Sequence, residues 1–330
     1  MALPRYAFFK GRVVPYSEAR VGVLTHGLNY GTGVFSGIRG YWNSDENELF
    51  VFRPEDHYRR FLESASMLGM TLPLGADQLT AALTDLLRKE GFREDCYVRS
   101  LAFYADEIVG VRLHDLTPET SIVAIPYGRY IDKEEGAHAT ISSWRRVDDN
   151  AIPARGKIVG AYVNSALAKS EAMRSGFDDA IVLNRDGHIS EGSAANFFLV
   201  RNGVVLTPPV TDNILEGITR RTVIDLLRDE LGVTVLERSI DRSEIYVSEE
   251  ALFVGTGVQI VAITRVDHRP VGNGRIGPIA SALRKLYFDI VRGRRPEYRH
   301  WCAPVYGPAT LEEAPSDGRE GAVRAAVARS

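Results

Sequence analysis

The chain has 330 residues, enough for two domains with substantial cores. Its 45% hydrophobic and 25% charged content are those of a soluble globular protein, and a net charge of −3 offers no basic field for nucleic acid. No apolar run approaches the roughly 18 residues of a membrane helix and no signal-peptide core opens the chain, while two cysteines, Cys96 and Cys302, form neither a disulfide framework nor a metal spacing, as expected in a reducing cytoplasm.

In chain order, Tyr6 to Pro15 reads as a hairpin turning at Lys10-Gly11. Thr25 to Arg39 is rich in glycine but lacks the Gly-Lys-Ser/Thr ending of a phosphate loop, so it reads as a loop feeding a strand. Taken alone, Tyr30, Phe35 and Arg39 read there as core residues. Leu49 to Arg53 is a strand, and Pro54 opens a helix running to about Leu68. Arg60 shares a face of that helix with His57, and its planar fork suits a phosphate, although a solvated arginine is the commoner reading. A second helix covers Ala76 to Glu90, with Leu79, Leu83, Leu86 and Leu87 at helical spacing.

Tyr97 to Tyr104 alternates as a strand, which puts Tyr97 and Arg99 on one face. They form either a carboxylate receptor or a cross-strand salt bridge. In the irregular loop from Ala105 to Asp115, Arg112 and His114 are a second candidate anion pair, or simply solvated. Ile122 to Pro126 is another buried strand. The pattern then restarts, giving an N-terminal small α/β domain (1–126), an interdomain linker (127–137), a larger C-terminal domain (138–293) and a tail (294–330), much of it expected to be a loose appendage.

The second half carries the chemistry. Lys157 lies in the small and apolar run Ile152 to Tyr162; burial lowers an ammonium pKa, and only the neutral amine attacks a carbonyl. Glu191, in Gly187 to Asn196, is a lone acid that can face a pyridine nitrogen. A lysine and an acid so placed are what pyridoxal phosphate needs to act as an electron sink. A helix follows Lys157 from about Ala161 to Ser175. Two hairpins come next, turning at Asp186-Gly187 and Asn202-Gly203. Asp212 to Arg220 enters a helix continuing to Leu231, whose N-terminus and Thr219 suit an anion. The strand Ala251 to Val254 ends in Gly255-Thr256-Gly257-Val258, a turn able to offer amides and a hydroxyl. A last helix spans Pro278 to Val291. Short hairpins among helices predict an α+β fold of antiparallel sheets with flanking helices.

Glu191-x-Ser193-x-x-Asn196-Phe197-Phe198, with Val205-Leu206-Thr207 and Leu215-Glu216-Gly217-Ile218-Thr219-Arg220, resembles the class IV aminotransferases, the pyridoxal phosphate fold-type IV family. The resemblance runs over residues 5–293, through His26 to Gly31, Phe35 to Arg39, the His57-to-Arg60 helix, Tyr97-Val98-Arg99 and Gly255 to Gly257. Within the family it is most like the branched-chain amino acid aminotransferases. It implies a two-domain architecture like that of D-amino acid aminotransferase, with pyridoxal phosphate bound by the C-terminal domain. Lys157 would carry the cofactor and shuttle the Cα proton, Glu191 would keep the ring nitrogen protonated, and Tyr162 would bond the phenolic oxygen. Arg60, Ile218, Thr219 and Thr256 would bind phosphate, with Asn196, Leu215, Gly217 and Gly255 completing the cofactor site. Tyr97, Gly257 and Val258 would receive the substrate α-carboxylate and Arg99 the glutamate side chain. Tyr30, Phe35, Gly37, Arg39 and Tyr127 would enclose the apolar pocket.

The reaction so implied transfers the amino group of leucine, isoleucine or valine to 2-oxoglutarate. Arg112-x-His114 resembles instead the carboxylate trap of D-amino-acid transaminases, so activity on D-amino acids or (R)-amines is the alternative. An aminodeoxychorismate-lyase-like reaction and a non-catalytic metabolite-binding protein stand behind it. The resemblance further implies a homodimer or higher homo-oligomer, with the 105–115 loop of one subunit reaching towards the other's site. No metal, nucleic acid or membrane is expected.

Overall fold

Residues 3–128 and 135–307 are described by the computed structural model. The chain opens with β1 (Tyr6–Phe9) and β2 (Arg12–Pro15), joined by Lys10 and Gly11 at φ 49° and 82°. Both central residues thus take the left-handed conformation of a tight hairpin turn. A one-turn helix, α1 (His26–Tyr30), precedes the long β3 (Gly33–Asn43). Then come β4 (Glu48–Phe52), α2 (Pro54–Met67), α3 (Ala76–Glu90), β5 (Cys96–Tyr104) and β6 (Pro118–Pro126). These strands pair in the order β4-β3-β5-β6-β1-β2. The leucines at 79, 83, 86 and 87 are fully buried and join Tyr58 and Phe61 of α2 against the sheet.

The second half begins with β7 (Ala137–Arg145), α4 (Tyr162–Arg174), β8 (Asp179–Leu183), β9 (Ile189–Gly192), β10 (Asn196–Arg201) and β11 (Val204–Thr207). It continues with α5 (Ile218–Asp229), β12 (Val235–Glu237), β13 (Glu250–Gly255), β14 (Gln259–Val266), β15 (Arg269–Pro270) and α6 (Pro278–Val291). The strand order is β12-β11-β10-β13-β14-β7-β8-β9, with β15 on β14. The sheet is mixed, not purely antiparallel. β7–β8, β7–β14 and β11–β12 are parallel pairs. The β7–β8 and β11–β12 connections pass through α4 and α5, the long crossovers that parallel neighbours require. Turn dipeptides reveal only the hairpins between such crossovers.

The first part of the expected tail is docked on the first sheet. Pro296–Trp301 forms a 3-10 turn, and β16 (Cys302–Pro304) pairs antiparallel with β4, adding an edge strand to the first sheet. The Arg53 amide donates to the Trp301 carbonyl at 2.7 Å, the Arg53 guanidinium lies 4.8 Å from the Trp301 ring, and Cys302 and Val305 are buried. These few apolar side chains, set among prolines and charges, suffice to dock the segment. Residues 129–134 of the expected linker and 308–330 of the expected tail lie outside the described residues.

Candidate active site

One wall of the site follows from strand register. Gly37 lies opposite Arg99 and Phe35 opposite Leu101, while on the other side of β5 Tyr97 meets Ile125 and Arg99 meets Val123. Directly opposed residues share a face of a sheet. Phe35, Arg99, Leu101, Val123 and Ile125 therefore line one side of a cavity of about 710 Å³. Gly37 is required beside them, since a Cβ there would overlap the Tyr97 hydroxyl. Arg99 donates from Nη2 to the Tyr97 hydroxyl at 3.2 Å and lies 4.4 Å from the Phe35 ring, so a cation stands over an otherwise apolar wall.

Lys157 enters from the facing side. Its amide donates to Ser64 Oγ of α2 at 3.1 Å and its carbonyl accepts from the Phe35 amide at 3.0 Å. The lysine backbone is thus held by the first sheet and its helix. Nζ lies 2.5 Å from the Tyr162 hydroxyl and 4.8 Å from the Phe35 ring. Burial, and then the cations Arg60, Arg99 and Arg146, push its pKa well below 10.5 against the opposing pull of Glu191. Burial, followed by the Glu191 charge, raises the Tyr162 phenol. The arrangement favours a neutral, nucleophilic amine at Lys157.

Glu191, on β9, is held from both oxygens. Arg146 Nη2 stands 3.0 Å from Oε1, and Oε2 accepts from Asn196 Nδ2 at 3.2 Å and from the Leu215 amide at 3.1 Å. Arg146 also donates through Nε to the Asn213 carbonyl at 3.1 Å. Sequence reasoning missed Arg146. Its only signal was the Trp144-Arg145-Arg146 end of a strand, and its partner lies on a different strand.

At the far end, α5 begins at Ile218 after Gly217, and no side chain caps its first turn. Its first amides point a partial positive charge outward. Thr219 Oγ1 and Thr256 Oγ1 are 3.5 Å apart, and Arg60 Nη1 donates to the Glu216 carbonyl at 3.0 Å. Burial lowers the Arg60 pKa. Gly217 has no room for a Cβ, which would run into Asn196 Oδ1.

The structure brings every expected cofactor residue to this cavity: Arg60, Lys157, Tyr162, Glu191, Asn196, Leu215, Gly217, Ile218, Thr219, Gly255 and Thr256. Of the expected substrate residues, Phe35, Gly37, Tyr97, Arg99, Tyr127, Gly257 and Val258 line it too, whereas Tyr30, Arg39, Arg112 and His114 do not. The Tyr30 hydroxyl accepts instead from the Gly110 amide at 3.0 Å, and His26 Nε2 lies 2.9 Å from the Gly110 carbonyl. With Gly110 pinned to α1 through both its amide and its carbonyl, Arg112 and His114 remain on an exposed stretch outside this chain's cavity. Arg39 is buried behind the wall.

A model of the class IV amino-transferases matches residues 33–266. The chain is 46% identical over 301 residues to a probable branched-chain-amino-acid aminotransferase of Aquifex aeolicus, covering 91% of this chain and 97% of that one. The chain belongs to the class IV aminotransferase family. Among solved structures, a branched-chain aminotransferase of Thermoproteus uzoniensis with norvaline is 43% identical, with TM-score 0.88 over 92% of this chain and 100% of the other. The enzyme of Thermobaculum terrenum in its pyridoxal phosphate form is 38% identical, with TM-score 0.88 over 92% and 99%.

As a class IV aminotransferase the chain uses pyridoxal phosphate, and the donor set fits that group. An uncapped helix N-terminus, two threonine hydroxyls and Arg60 lie at one end of the cavity, a depressed lysine amine beside a phenol in it, and a held carboxylate with them.

Proposed function

We propose that this class IV aminotransferase moves the amino group of L-leucine, L-isoleucine or L-valine to 2-oxoglutarate, giving branched 2-oxo acids and L-glutamate. The observation that carries this reading is a single wall that is apolar at Phe35, Leu101, Val123 and Ile125 yet bears the Arg99 guanidinium. Aliphatic side chains gain about 0.8 kcal/mol per buried methylene on such a wall. The carboxylate of a glutamate side chain is recognised there by charge.

In this reading Arg60, the Ile218 and Thr219 amides and the Thr219 and Thr256 hydroxyls hold the phosphate. Glu191 keeps a proton on the ring nitrogen, and Arg146, Asn196 and the Leu215 amide hold Glu191 in place. Tyr162 donates to the phenolic oxygen. Bound pyridoxal phosphate supplies the sink for the electrons left when the substrate's Cα proton departs. Lys157 Nζ takes that proton and returns it on the other side of the transfer, acting as general base and then general acid. Tyr97 and the Gly257–Val258 turn orient the α-carboxylate.

The architecture is read as an N-terminal domain over 1–126 and a cofactor-binding domain over 138–293, joined by 127–137. Homodimer assembly is supported by an exposed apolar surface, with Val109 at 82% and Val111 at 88% exposure near Val23 on the neighbouring loop. A cytoplasmic location is supported by two buried cysteines outside any disulfide; among the described residues no helix is long and apolar enough to cross a membrane.

The test is formation of L-glutamate from L-leucine and 2-oxoglutarate. Lys157→Ala abolishes it. Arg99→Met raises KM for 2-oxoglutarate by about 10- to 100-fold, the worth of a hydrogen bond to a charged group, and leaves leucine kcat/KM within about threefold. An equal loss for both substrates would contradict the division of the pocket.

A further inference from the structure

Arg53 stands at the entry to α2 with φ 48° and ψ 47°, a left-handed conformation that residues other than glycine rarely adopt. Its side chain does not cap that helix. It joins three other parts of the chain instead. The amide donates to the Trp301 carbonyl at 2.7 Å, and the guanidinium lies 4.8 Å from the Trp301 ring. Nε donates to Asp56 Oδ2 at 2.6 Å, and Nη1 donates to Thr222 Oγ1 at 2.8 Å. Only 10% of the side chain is exposed, so these charge-assisted bonds are little screened by solvent.

Thr222 passes the contact on to the start of α5. Its hydroxyl donates to the Ile218 carbonyl at 3.0 Å. That carbonyl and the Thr219 N–H belong to one planar peptide unit and point in opposite directions. Holding the carbonyl along the helix therefore holds the Thr219 amide towards the open α5 N-terminus. Asp56 makes a second tie between the same two helices, with Oδ1 at 2.9 Å from Arg221 Nη2. Arg60 lies on α2 and Thr219 on α5, so the two ties fix the helices that supply the expected phosphate ligands.

The other end of α5 meets the segment that carries Trp301. Glu230, just past the helix, accepts from the Tyr298 hydroxyl at 2.7 Å and from Arg295 Nη2 at 3.1 Å. Residues 295–301 thus hold α5 at its end directly and at its start through Arg53.

We propose that Arg53 is a positioning residue for the phosphate cup and that the docked C-terminal segment, through Trp301, keeps it in place. Neither residue touches the cofactor; together they set how tightly its phosphate is held. The proposal rests on the phosphate placement in the reading above and goes beyond it by giving residues 295–304 a part in cofactor retention.

The experiment follows the affinity of full-length wild-type, Arg53→Met, Arg53→Lys, Trp301→Leu and Arg60→Met proteins for two ligands, by absorbance after removal and return of cofactor. One is pyridoxal phosphate; the other is pyridoxal, which has the same ring and aldehyde but no phosphate. Arg53→Met weakens pyridoxal phosphate by about 10- to 100-fold, the worth of a hydrogen bond from a charged group, and leaves pyridoxal unchanged. Trp301→Leu weakens pyridoxal phosphate by about threefold, as expected for a lost cation–ring contact. Arg53→Lys keeps the charge without the fork and recovers part of the loss; it and Trp301→Leu carry the test if Arg53→Met does not fold. At saturating cofactor, kcat is unchanged in the Arg53 and Trp301 variants. Pyridoxal weakened by the same factor as pyridoxal phosphate would mean a general loss of structure and would overturn the proposal. So would wild-type affinity for pyridoxal phosphate in a folded Arg53→Met protein while Arg60→Met loses it. Wild-type affinity in Arg60→Met would overturn the phosphate placement itself, and the proposal with it.

Discussion

Lys157 is a cation that the fold makes expensive. Its ammonium would sit among Arg60, Arg99 and Arg146 in a place largely closed to water, and Glu191 only partly offsets them. The consequence for stability has a definite sign. The unfolded chain holds a proton on this lysine up to about pH 10.5, while the folded chain releases it at lower pH. Between the lowered folded value and 10.5 the unfolded state binds more protons, so stability rises with pH across that window. In cofactor-free protein, denaturant titrations from pH 7 to 10 are expected to show this rise. Lys157→Met is expected to flatten it and to be the more stable form at pH 7. A wild-type slope that survives the substitution would place the titration elsewhere.

Elements explain what side chains alone do not. Glu191 sits on β9 and Arg146 just beyond β7, two strands that do not pair with each other but flank β8. Their contact is therefore a product of sheet order. Removing one member of a buried pair strands the other charge, so Arg146→Met is expected to cost about 3 kcal/mol of stability in urea titrations and to weaken cofactor retention. A loss below about 0.5 kcal/mol, the range of a surface substitution, would mean that Asn196 and the Leu215 amide suffice. The same scale decides what could be read beforehand. α3 and α6 run over the residues expected because apolar spacing and terminal Pro or Gly mark them, and the hairpin at Asn202-Gly203 follows from its turn residues. α1 is too short for any period to show, and β14 follows the Gly-Thr-Gly turn without an expected strand of its own. Leu101 was legible in principle, two positions beyond Arg99 on the same strand face. Arg146 was not legible as a site residue, because the Glu191 carboxylate it meets is brought near only by tertiary pairing.

At the scale of the molecule, the cavity is assembled from both halves of the chain. The first sheet gives the apolar wall with Arg99 and holds the Lys157 backbone; the second gives Glu191, the α5 N-terminus and the turn at 255–258. The β16 strand returns to the first sheet after α6 has packed on the second, so the C-terminal segment laces the two together. In the proposed reading, the cofactor is held mainly by the second half of the chain and the variable side chain by the first sheet. That division makes the side-chain wall the natural seat of specificity. The most direct test of that claim is the visible spectrum of purified holoenzyme before and after separate additions of L-leucine, D-alanine and (R)-1-phenylethylamine. L-leucine alone is expected to convert the pyridoxal band to the pyridoxamine form, since the wall of Phe35, Leu101, Val123 and Ile125 suits its side chain. Conversion by D-alanine or the amine at a comparable rate would contradict the account and return the 105–115 loop to the site.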